Sequence, residues 1–196
     1  MKKIICFIIL MLMVPSVYAY SPVRPDTGTE KVVIVESGKT EMQIDFAKGF
    51  VIGQRFYSSS PVRSVTFRCI SWGNNIGKVK VSAYNWQGDY SKTVSQSPAT
   101  VFVSQDMEDN LVSTLTLPDN ADISGDVLFV YEAEYPGCKE SVGTTLVSSK
   151  KALEEQTTFV NGEEKPELAM MNTITCDAVI NVPDLSGSPL KNAKKI

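Results

Sequence analysis

The sequence predicts an all-β fold, an antiparallel two-sheet β-sandwich of jelly-roll-like type. Three observations lead there. Eight or more short runs are rich in β-branched and aromatic residues, several alternating apolar and polar with period two. Polar turn signals separate them at regular spacing. Helix-forming stretches are nearly absent.

The elements follow in chain order. Lys31–Glu36 is a β-branched run ended by Ser37-Gly38, and Val51–Tyr57 is a second, turned by Ser58–Pro61. Val65–Trp72 alternates, placing Val65, Phe67 and Cys69 on one face and Thr66, Arg68, Ile70 and Trp72 on the other. Gly73–Gly77 is turn chemistry. Val79–Trp86 alternates again, with Val79, Val81 and Ala83 opposite Lys80, Ser82, Tyr84 and Trp86. Further strands are expected at Thr100–Val103, Leu111–Leu117, Asp126–Glu132, Thr144–Val147, Gln156–Val160 and Leu168–Cys176. Pro118-Asp119-Asn120, Ser124-Gly125, Pro136-Gly137 and Asn161-Gly162 mark turns between them. Only Ser148–Glu155 has the composition for a turn or two of helix.

The ends set the boundaries. Lys2 and Lys3 precede an apolar run of eleven residues, Ile4–Val14, too short to span a bilayer comfortably. Pro15-Ser16 and then Val17-Tyr18-Ala19 complete a secretory signal peptide, residues 1–19. Cys6 lies within the run with no lipobox before it. Cleavage leaves 177 residues with a net charge of −5 and no membrane span. The expected location is periplasmic, cell-surface or secreted. Residues 20–30 read as a flexible N-terminal segment, 31–182 as the sandwich domain, and 183–196 as a tail rich in Pro, Ser, Gly and Lys. Export into an oxidising compartment leaves Cys69, Cys138 and Cys176, so one disulfide and one thiol are expected. Cys69, at a core position mid-strand, is the natural thiol. Cys138 and Cys176 are then the expected pair, with the other pairings open.

Composition narrows the chemistry. The chain has no histidine, which removes Ser-His-Asp and Cys-His catalysis and most zinc and haem sites. Its net charge of −3 argues against a nucleic-acid partner. No CxxC, glycine-rich phosphate loop, HExxH, EF-hand loop or GxSxG occurs, and neither cofactor nor metal is expected. Glu132 and Glu134 are the carboxylate pair a glycosidase would need, a distant reading. Residues 105–110, Gln-Asp-Met-Glu-Asp-Asn, offer oxygen ligands to calcium or form a plain polar turn.

The aromatic residues carry the main functional signal. Trp72, Tyr84, Trp86 and Tyr90 crowd together, interleaved with Asn74, Asn75, Asn85, Gln87 and Asp89. Flat indoles stack on the C–H faces of sugars while amides and carboxylates bind hydroxyls. The candidate site is therefore Trp72, Trp86 and Tyr90 with Asn74, Asn75 and Asp89. The competing reading makes the tryptophans core caps.

Ile52–Phe56, Val65–Gly73, Val79–Trp86 with Tyr90, and Gly125–Phe129 together resemble a jelly-roll accessory module. Such modules are similar to the carbohydrate-binding domains of secreted bacterial glycan-degrading enzymes, notably in gut Bacteroidetes. The likeness spans Val51 to Gly162, and Tyr84-Asn85-Trp86 followed by Tyr90 is its most distinctive part. It implies a freestanding, non-catalytic module that recognises glycan. The alternative is a structural or adhesive sandwich that contacts a surface protein.

Overall fold

A computed structural model describes residues 29–33, 38–135, 141–150, 154 and 156–177. It is an antiparallel two-sheet sandwich, as the alternation required. One sheet holds β1 (Thr29–Val33), β2 (Lys39–Asp45), β4 (Val62–Ile70), β7 (Val112–Thr116), β9 (Gly143–Ser148), β12 (Ala169–Met170) and β13 (Asn172–Asp177). Its order is β1-β13-β4-β9-β12, with β2 on β9 and β7 on β4. The second sheet holds β3 (Ile52–Ser58), β5 (Val79–Asn85), β6 (Thr100–Val103), β8 (Gly125–Ala133), β10 (Gln156–Val160) and β11 (Glu163–Glu164). Its order is β11-β10-β3-β8-β5-β6.

Period-two patterning places the core. Val65, Phe67 and Cys69 of β4 face Val79, Val81 and Ala83 of β5 across the sandwich, and all six are buried. Phe67 meets Tyr131 of β8 edge to face at 5.6 Å, and Phe56 of β3 meets Phe129 at 5.2 Å. Each such side chain stabilises the fold by about 2–3 kcal/mol through burial. Alternate residues of β8, Leu128 and Val130, are also buried, but under a second cluster on the outer face of their sheet.

Several expectations need correction. The alternation of β4 does not run to Trp72: the strand ends at Ile70, and both Ile70 and Ser71 are buried. Trp72 lies beyond it with φ of +49°, in the left-handed region. A helix, α1, spans Tyr90–Val94, in the stretch read as binding surface. β2 and β11 were not expected, nor was the 3₁₀ turn Phe46–Lys48, capped by Asp45 accepting from the Ala47 N–H at 3.1 Å. The run Leu168–Cys176 is two strands, β12 paired with β9 and β13 with β4. The signal peptide, the tail, most of residues 20–30 and half of the Ser148–Glu155 stretch lie outside the described residues.

No disulfide joins the described residues, and Cys138, the expected partner of Cys176, lies outside them. Cys176 Sγ lies 3.1 Å from Ser58 Oγ. Cys69 is fully buried, and burial pushes its thiol up to about 11. No helix among the described residues is long and apolar enough to cross a membrane.

Candidate functional site

The six expected site residues fall into two groups on different sheets. Trp72 follows β4 and precedes β5, whereas Trp86 follows β5. A seven-residue strand about 23 Å long thus runs between them. The outer faces of β4 and β5 look away from each other on opposite sides of the sandwich. A shared Trp72–Trp86 platform is not formed.

Trp86, Asp89 and Tyr90 belong to the second sheet. Asp89 caps α1, its Oδ1 accepting from the Lys92 N–H at 2.8 Å, and this bond holds its carboxyl below the usual carboxylate range. The cap sets Tyr90 down on β3, where Gly53 leaves room for the ring, and Tyr90 stacks on Phe159 of β10 at 5.1 Å. Burial raises the Tyr90 hydroxyl above its usual value. Trp86 lies 5.8 Å from the same Phe159 ring. The Arg55 guanidinium lies 4.6 Å over the indole and donates to both carboxylate oxygens of Asp126, at 2.9 and 2.7 Å. With Val51, Tyr84 and Val94 these groups pack on Leu128, Val130 and Phe159 as a small outer core. Trp86 and Tyr90 act here chiefly as packing, and Asp89 as a cap.

Trp72, Asn74 and Asn75 sit at the end of the sandwich where β4 crosses to β5. Asn74 Oδ1 accepts from the Ile76 N–H at 3.2 Å, and Asn75, also left-handed with φ of +53°, accepts from the Asp109 N–H at 2.9 Å. Asp109 in turn accepts from the Ser71 N–H at 2.7 Å, and Asp106 from the Gly77 N–H at 3.3 Å. The acidic loop is thereby stitched to the β4–β5 loop, and its Met107 is buried in the main core. No group of three His, Cys, Asp or Glu side chains among the described residues is arranged to hold a metal ion. Glu132 is ion-paired with Lys80 at 2.9 Å, and Glu134 lies past the end of β8.

The stitched loops present large apolar side chains to solvent. Trp72 is 45% exposed, Ile76 47%, Leu111 50% and Val112 67%. Of these four the sequence points to Trp72 alone. Ile76 sits among turn residues, and Leu111 and Val112 have the pattern of ordinary strand residues. Their signal was an apolar residue in or beside a polar turn, and the Asp106 and Asp109 bonds reveal that the two loops share one end. No family model matches the chain, and neither a curated protein nor a solved structure matches it.

Proposed function

We propose that this chain is an exported, non-catalytic binding domain that docks a partner protein through the loop end carrying Trp72. One observation carries the reading. Trp72, Ile76 and Leu111 are all strongly exposed on two loops that hydrogen bonds hold together, and the exposed Val112 opens β7 next to Leu111. Clustered exposed apolar side chains mark interaction surfaces, and tryptophan is enriched among the anchors of protein contacts. The left-handed backbone at Trp72 adds support: it is strained for a bulky residue and turns the side chain out of the strand's alternation. Asn74, Asn75 and Arg68 supply a polar rim.

Glycan recognition is the second reading, favoured by the exposed indole of Trp72 beside two asparagine amides. It rests on Trp72 alone, because the Trp86 ring is packed against Phe159 and covered by Arg55.

The two separate experimentally. A photo-crosslinking residue at Ile76, used in the native host, should trap one defined protein. Trp72→Ala should abolish that crosslink and weaken the purified pair at least tenfold while the chain stays folded, because Trp72 is 45% exposed and lies outside both core clusters. Affinity should change little with salt, since the contact is apolar. A glycan-array signal lost in Trp72→Ala, with no protein trapped, would overturn the protein reading in favour of sugar. A trapped partner that binds Trp72→Ala and Leu111→Ala as tightly as the parent would remove this surface from consideration.

A further inference from the structure

The inter-sheet core contains a polar patch whose own hydrogen bonds leave it half satisfied. Gln54 of β3, Gln156 and Thr158 of β10, and Asn172 of β13 are all buried. Tyr131 Oη donates to Gln54 Oε1 at 3.0 Å, and Asn172 Nδ2 donates to the same oxygen at 2.5 Å. Gln156 Nε2 donates to the Met170 carbonyl at 3.1 Å. Four side-chain atoms remain without a protein partner: Gln54 Nε2, Thr158 Oγ1, Gln156 Oε1 and Asn172 Oδ1.

The residues that carry these atoms adjoin one another. Gln54 and Thr158 are direct cross-strand neighbours, and Gln156 lies two residues along β10 on the same face. Asn172 reaches Gln54 from the opposite sheet. Reversing the amides does not resolve the shortage. Turning either one alone sets like atoms against each other, and turning both leaves Gln54 Oε1 and Asn172 Nδ2 over instead. A low-dielectric interior makes such orphaned groups costly, and buried polar atoms are paired almost everywhere.

The remaining chemistry is one amide donor, two carbonyl acceptors and a hydroxyl that serves either way. That is the complement of a water molecule, which accepts two hydrogen bonds and donates two. We propose that the sandwich core holds a resident internal water. It accepts from Gln54 Nε2 and Thr158 Oγ1 and donates to Gln156 Oε1 and Asn172 Oδ1. It ties β13 of one sheet to β3 and β10 of the other. The four polar residues at otherwise apolar core positions are its ligands.

A high-resolution crystal structure of the full chain tests the assignment. The expected result is one well-ordered water within about 2.6–3.2 Å of at least three of the four atoms. In solution, oxygen-17 relaxation dispersion should count one long-lived water fewer in Thr158→Val than in the parent. Direct pairing of the four side chains with no density between them would overturn the proposal. So would density for a larger bound molecule. If Thr158→Val fails to fold, the density of the parent protein decides alone.

Discussion

Gly53→Ala asks whether the aromatic cluster outside the second sheet is truly packed. A Cβ at Gly53 would stand 2.6 Å from Tyr90 Cε2, 3.2 Å from Phe159 Cβ and 3.3 Å from Leu128 Cδ1. Carbon atoms pack best at about 3.5–4.0 Å, so the Tyr90 ring would have to retreat by about 1 Å. It has little freedom to do so. The ring stacks on Phe159, borders Gly162, and begins a helix that Asp89 caps. Overpacking of this kind costs about 1–3 kcal/mol. Alanine is better than glycine within a strand by about 0.5–1 kcal/mol, which offsets part of that. The net loss should be about 0.5–2 kcal/mol, a fall in melting temperature of about 1–8 °C for a domain of this size. The same change made in a Tyr90→Ala background should be neutral or slightly stabilising, because the clash is gone. Urea unfolding of the parent, both single variants and the double variant measures the coupling, expected at about 1–3 kcal/mol. Additive losses would show that Tyr90 does not rest on Gly53, and the outer core would have to be abandoned.

Three other outcomes are expected. A Cβ at Gly143 would fall 1.8 Å from the Ile44 carbonyl oxygen, so Gly143→Ala should lose more than about 3 kcal/mol and yield little folded protein; a native circular dichroism spectrum would refute the close β2–β9 approach. The guanidinium of Arg63, bonded to both carboxylate oxygens, holds Asp177 below the usual carboxylate range, so its stabilisation is complete above about pH 4 and lost as pH falls through the depressed value. Asp177→Asn should therefore cost about 1–3 kcal/mol at pH 7 and flatten the acid limb of stability against pH, and an unchanged acid limb would exclude this pair as its source. Cys69, buried with its thiol pushed up to about 11, should resist iodoacetamide at pH 8 in the native chain and react after denaturation, as peptide mapping would show.

What the sequence made legible were strands whose burial alternates. Thr100–Val103 and Gln156–Val160 agree with β6 and β10 to the residue, because β-branched and aromatic residues give way there to Ser104 and to Asn161-Gly162. β2 escaped notice because Lys39, Glu41 and Gln43 lie exposed on a sheet edge, where charge protects against pairing and mimics a loop. Trp72 was misplaced by carrying the alternation of β4 two residues too far, since local pattern does not reveal a left-handed residue. The candidate site was only half legible for a related reason. Interleaved aromatic and polar residues read alike in a platform and in a capped helix on a sheet. Gly53 and Phe159, far away in the chain, decide between the two for Trp86 and Tyr90. The grouping of Ile76 with Leu111 likewise depends on Asp109 bonding to Ser71 and Asn75.

β1 lies antiparallel against β13 with Thr29 directly opposite Asp177. Thr29 and Asp177 thus form one rung at the end of this strand pair. Tension applied at these two residues would pull across the strands and open that ladder one rung at a time, instead of loading every bond at once. Along the line joining Thr29 and Asp177 the fold is therefore mechanically soft, whereas β4 and β9 behind β13 are flanked by strands on both sides. Held between two anchors, such a sandwich would shed β1 first and keep its core, lengthening under load before it unfolds.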